Sequence, residues 1–193
     1  MSEGQIMHIA HSHLLLDACC VLNFCASSKL LAILKSIPAQ VVVTQVVLER
    51  ELKTLQRLKD EENEGVIQFE AAIAQSLLTV VDFGSEEEAE SFVNYAAILG
   101  DDGESATCAI AVHRGWAIAT DDKRAISFVQ QGASYLQVVS TPEIIKHWSE
   151  ETGLDLLTLR DVLNAIRVKG RYFPHKNHPL QGWWEAALAN VDF

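Results

Sequence analysis

The chain has 193 residues, with 26 Asp and Glu against 15 Lys and Arg and a hydrophobic content of 49%. That length suits one domain with a C-terminal elaboration, and the apolar content supplies a core, which excludes a globally disordered chain. A net charge of −11 excludes a protein that coats nucleic acid through bulk charge, but not an enzyme that touches RNA locally.

The N-terminal stretch has no basic segment ahead of an apolar run, and no apolar run approaches the ~20 residues of a membrane span. A soluble, cytoplasmic protein with no membrane contact is expected. The cysteines are Cys19, Cys20, Cys25 and Cys108, without a CxxC pair. Three of them lie in or beside an apolar run, where Cys behaves as a small hydrophobe. Reduced thiols are expected rather than a disulfide framework or a zinc site.

In chain order, HLLLD (residues 13–17) reads as a buried strand ended by Asp17. Residues 21–37 continue with helix-like spacing, and AQVVVT (39–44) is a β-branched strand. Thr44 is placed to cap the next helix. Residues 45–63 are helical, with Leu48, Leu52, Leu55 and Leu58 on one stripe. LLTVVDF (77–83) is a third strand. The helix after it opens with Ser85 and Glu88, the spacing of a capping box. A short helix of small residues runs from Glu104 to Gly115, WAIAT (116–120) is a strand, and DKRAISFVQQG is a helix. LQVVST (136–141) is the last strand, and Pro142 opens the helix after it.

Strands alternating with helices predict an α/β domain with a mostly parallel sheet and helices on both faces. Ligands of such sheets bind beyond the C-terminal ends of the strands. Asp17 follows the first strand there, Asp121 and Asp122 follow WAIAT, and Glu104 starts the helix leading into it. Glu49 or Glu51 lies early in the helix after the second strand. Crowded carboxylates resist ionisation unless a cation is present. Oxygen-rich clusters suit Mg2+ or Mn2+, which activate water for attack on a phosphoryl group. Acids at strand ends also serve as caps and dipole partners, so each position alone has a purely structural explanation.

Four stretches together resemble the PIN domain family of metal-dependent ribonucleases, which includes VapC-type toxins. LLLDACCVLNF is similar to its first motif, VVVTQVVLEREL to its second, LGDDGESATCAIA to its third and GWAIATDDKRA to its fourth. The resemblance runs from about residue 13 to 148. It implies a three-layer α/β/α PIN-like domain over residues 1–150, with a helical extension, 151–193, packed on it. It further implies RNA phosphodiester hydrolysis with Mg2+ or Mn2+, an antitoxin-like protein partner and a homodimer. On this chain Asp17, Glu104 and Asp121 or Asp122 would hold the metal, with Asp102 the runner-up to Glu104. Glu49 or Glu51 would orient the attacking water, and Asn23 and Thr120 would support the site. Cys19 stands where the family often has a small polar residue, which is expected to remove a hydrogen bond. Without the helical Glu the alternative is a catalytically degenerate PIN-like binding or scaffold module. A phosphorylation receiver domain is disfavoured, because LQVVSTPE supplies no Lys after the last strand. A haloacid-type phosphatase is disfavoured too, because DACCV lacks the second Asp.

The tail changes character. From Leu159 to Trp184 there are five basic residues and one acid, whereas Asp82 to Glu104 holds eight acids and no base. Arg167, Lys169 and Arg171, interleaved with Tyr172, Phe173, Trp183 and Trp184, are candidates for RNA backbone contact. The favoured alternative is a packed amphipathic helix with its Trp pair in a core or dimer contact. His8, His11, His13 and His113 form no metal-binding spacing and are read as non-catalytic.

Overall fold

The computed structural model describes residues 7–50 and 64–189. Five strands form one sheet: β1 (His13–Leu16), β2 (Gln40–Thr44), β3 (Thr79–Val81), β4 (Ala117–Ala119) and β5 (Val138–Val139). Their order is β3-β2-β1-β4-β5, and every pairing is parallel. Leu16 of the central strand is in register with Val43 on one side and Ala119 on the other.

The helices are α1 (Ala18–Ala26), α2 (Leu30–Ser36), α3 (residues 45–50, as far as described), α4 (Glu64–Ala74), α5 (Glu86–Leu99), α6 (Asp102–Arg114), α7 (Lys123–Gly132), α8 (Thr141–Glu151), α9 (Leu156–Val168) and α10 (Gln181–Ala189). The two-residue period of the strands divides them between two layers. Leu14, Leu16, Val41, Val43, Ala117 and Ala119 face a core shared with α1, α2, α8, α9 and α10. Leu15, Val42 and Ile118 face the other way, onto α6 and α7. The architecture is the expected three-layer α/β/α with a parallel sheet.

This order places a reversal of winding between β1 and β4. The chain moves outward from β1 through β2 to β3, then crosses back to β4 on the other side of β1. Loops diverge to opposite faces at such a point and leave a crevice beyond the strand ends.

Local chemistry sets several boundaries. The helix-like run 21–37 is two helices, because Ser27 ends α1. Its hydroxyl donates to Phe24 O at 2.5 Å and accepts from Lys29 N, and Ser28 takes a φ of 58°. Such side-chain bonding competes with helix continuation. Helix α4 arises where the sequence suggested no element. Helix α6 starts two residues before Glu104, because Asp101 caps it by accepting from Glu104 N at 3.0 Å. Ser85 caps α5 as expected, but Glu88 reaches past it to accept from Gly84 N at 2.7 Å. The Glu88 carboxylate also receives Arg114 Nε at 2.7 Å, which ties α5 to α6. The expected stripe residues Leu52, Leu55 and Leu58 lie outside the described residues.

The tail is part of the core. Leu159, Val162, Leu163, Ile166 and Trp184 join the α1 side of the sheet. Trp184 is 0% exposed and packs edge-on against Tyr172 and Trp183. Truncating a fully buried aromatic costs about 3–5 kcal/mol, so Trp184 ties α10 to the core and is not available to stack a base. Among the described residues, no helix is long and apolar enough to cross a membrane.

Candidate functional site

Asp17 is the first residue after the central strand. Its backbone N–H still reaches β4, donating to Ala119 O at 2.9 Å. Its side chain caps α1: Oδ1 accepts from Ala18 N at 2.7 Å, and Oδ2 accepts from Thr120 Oγ1 at 2.8 Å. Asp17 is 2% exposed. Burial pushes its carboxyl above the usual range, the Thr120 and Ala18 bonds pull it back, and Asp101 adds repulsion. Thr120 is wholly buried and also accepts from Asp122 N at 3.1 Å, so one hydroxyl links the ends of β1 and β4. The Cys19 thiol stands 3.5 Å from Asp17 Oδ2 and 3.8 Å from Thr120 Oγ1. The expected loss of a contact at position 19 is therefore corrected: sulfur keeps it, in a longer and weaker form.

Helix α6 brings Glu104 to the same edge. Its carboxyl is pushed up to about 7, first by burial and then by the charges of Asp122, Asp17 and Asp101. Among the described residues its carboxylate has no hydrogen-bond or ion-pair partner. The repulsion arises because the start of α6 and the ends of β1 and β4 meet at one edge of the sheet, where such folds open a crevice.

Adjacent residues on extended backbone project to opposite sides, and Asp121 and Asp122 do so. Asp122 stands on the α6 side, where its charge acts on Glu104. Its Oδ1 caps α7, accepting from Arg124 N at 2.7 Å and Ala125 N at 3.0 Å. Asp121 turns toward α1, α8 and the tail. Its Oδ1 accepts from Thr141 N and from the Tyr172 hydroxyl, both at 3.0 Å. Its Oδ2 faces Asn23 Nδ2 at 3.4 Å. Burial raises the Asp121 carboxyl, against the pull of Thr141, Tyr172 and His178. Asn23, 2% exposed, thus supports Asp121 and not Asp17.

The second strand contributes differently. Glu49 is exposed and accepts from Gln45 Nε2 at 3.0 Å, one turn back on its own helix. Glu51 lies outside the described residues. Arg50, between them, pairs with Asp101 at 2.9 Å and with Asp102 at 2.6 Å. Asp102 is therefore bound to Arg50 at the surface, while Glu104 faces the crevice.

The tail reaches the site, which the sequence did not indicate beyond an aromatic set among bases. After α9 the chain turns at Gly170, which passes Asn23 so closely that a Cβ there would sit 2.9 Å from Asn23 Oδ1. Two residues on, Tyr172 bonds Asp121, and eight residues on, His178 bonds Ser140. Arg167, Lys169 and Arg171 are exposed, and the last two flank Gly170. A scan against protein-family models and a search of curated proteins find no match for this chain.

Proposed function

We propose that the protein is a metal-dependent ribonuclease of the PIN type, hydrolysing RNA phosphodiester bonds beside Asp17, Glu104 and Asp122. One observation carries this reading: among the described residues Glu104 is a carboxylate with no hydrogen-bond or ion-pair partner, raised to about 7 first by burial and then by the negative charge of Asp122, Asp17 and Asp101. A divalent cation relieves that repulsion, and the donor set is all oxygen, as Mg2+ and Mn2+ prefer. Asp17, Glu104 and Asp122 would hold it, and when bound it polarises a phosphoryl oxygen and acidifies water. Thr120 orients the Asp17 carboxylate through its 2.8 Å bond. Asp122 is steadied by the first turn of α7. Asp121 serves beside them as an anchor for the tail. The exposed Arg167, Lys169 and Arg171, on the tail segment whose Tyr172 bonds Asp121, would supply positive charge for an RNA backbone. A toxin-like role with an antitoxin-like partner and a homodimeric state belongs to the same proposal and rests on the motif resemblance, and a cytoplasmic location is proposed from the N-terminal composition and the reduced cysteines.

A second reading has its own support. Glu49 is turned to Gln45, and the described α3 side chain that reaches the start of α6 is a cation, Arg50. That favours a degenerate PIN-like binding or scaffold module, with no acid from the described part of α3 to orient water. Cleavage of end-labelled single-stranded RNA in Mn2+, Mg2+ and EDTA separates the two. Under the ribonuclease reading the wild type cleaves with metal, and folded Asp17→Asn and Glu104→Gln do not. Cleavage that persists in both variants, or in EDTA, would sink it.

A further inference from the structure

We propose that Cys19, Cys20 and Asp121 form a binding site for a single thiophilic divalent cation of the Zn2+ class, beside but separate from the Asp17–Glu104–Asp122 carboxylates. The two thiol sulfurs and a carboxylate oxygen all lie within 4.8 Å of one another. Local structure brings them together. Cys19 and Cys20 are consecutive in the first turn of α1, and the end of β4 places Asp121 over that turn. The Asp121 N–H donates to Cys19 Sγ at 3.4 Å, and Cys20 Sγ lies 3.9 Å from Asp121 Oδ2.

The carboxylate is already oriented for this role. Thr141 N and the Tyr172 hydroxyl hold Oδ1. Oδ2 is left toward the sulfurs, and among the described residues its one other contact is Asn23 Nδ2 at 3.4 Å. Ligands about 2.3 Å from a tetrahedral zinc lie about 3.8 Å apart, so the set needs to close by about 1 Å at most. Two sulfurs and one oxygen select Zn2+ or Cd2+ over Mg2+ and Mn2+, and a water fills the fourth position. None of the four cysteines is in a disulfide. Cys19 is half-buried and offers the way in, while Cys20 is fully buried. Each thiol gives up its proton to solvent as it binds, so affinity falls as pH falls. Because Cys19 Sγ also stands 3.5 Å from Asp17 Oδ2, a cation here draws the thiol away from Asp17.

The test is a Cd2+ titration of the reduced, metal-stripped full chain, read by the thiolate-to-cadmium charge-transfer absorption. It does not depend on RNA cleavage, so its failure and the failure of the ribonuclease reading are distinguishable. The expected result is a band that saturates at one cation per chain and is displaced by Zn2+. Cys19→Ser and Cys20→Ser should each weaken binding by more than the roughly tenfold typical of losing an outer-shell partner. Cys25→Ser, Cys108→Ser and Glu104→Gln should keep the band. Cys19 is half-exposed, so Cys19→Ser carries the test if the buried Cys20→Ser fails to fold. Absence of the band in folded wild type, or its survival in Cys19→Ser, would overturn the proposal.

Discussion

The hydroxyl of Tyr172 donates a 3.0 Å hydrogen bond to Oδ1 of Asp121, fixing the C-terminal tail to the residue that follows β4. The bond joins a buried carboxylate to a hydroxyl whose own ionisation is pushed far up by burial and by that carboxylate. Tyr172→Phe removes the donor and leaves the edge-on packing on Trp184 in place. A hydrogen bond to a charged, buried group contributes about 1.5–3 kcal/mol. Urea denaturation at neutral pH is expected to register a loss of that order. An unchanged midpoint would mean that the tail is held by its core packing and not by this bond.

Gly170 sits at the close approach of the same tail to α1. A Cβ there would meet Ile166 O at 2.7 Å and Asn23 Oδ1 at 2.9 Å. One contact is backbone and the other is a buried, hydrogen-bonded side chain, so neither yields cheaply. Gly170→Ala is expected to destabilise by about 1–3 kcal/mol, as overpacking does. It should also loosen the Tyr172 contact, so its effect and that of Tyr172→Phe should sum to less than additively in a double mutant. Full additivity would mean that the two residues act independently.

The strands were legible because each is a short apolar run, β-branched in β2, β3 and β5, cut off by an acid, a hydroxyl or a turn. The alternation with helices then dictated a parallel three-layer fold. Asp17 and Glu104 were legible for the same reason, since a strand end and a helix start fix their direction. Which of Asp121 and Asp122 faces Glu104 was not, because only the packing of α6 on one side and of α1 and α8 on the other decides it. The break at Ser27 was hidden by apolar spacing that continues across it. Arg50 reaches Asp101 and Asp102 through helical phase, which spacing from Thr44 left open between positions 49 and 51. Tyr172 carries no local mark of its bond, whose partner lies 51 positions away.

Glu104 also gives the fold a pH dependence. Its carboxyl is raised from its ordinary 4.5 to about 7 in the folded chain. Between those values the unfolded chain has already lost the proton that the folded chain keeps. Unfolding is therefore favoured more as pH rises. The contribution is complete below about 4.5 and is lost as pH climbs through about 7. Asp17 and Asp121, both raised by burial, act in the same direction from lower pH. Thermal denaturation in EDTA is expected to show a melting temperature that falls across this window. Glu104→Gln should flatten the fall, and Mn2+ should restore the wild type at the upper end. A wild-type profile identical to that of Glu104→Gln would contradict this assignment.

The most direct test of the carboxylate centre is calorimetric titration of Mn2+ into the folded protein near neutral pH. The wild type would be compared with Asp17→Asn, Glu104→Gln and Asp122→Asn. Asn is as good a helix cap as Asp, so Asp122→Asn removes the charge while keeping α7 in place. If the three acids hold the cation together, the wild type binds Mn2+ and each variant loses at least about tenfold in affinity. No binding by the wild type, or equal affinity in all four proteins, would contradict a metal centre at this crevice.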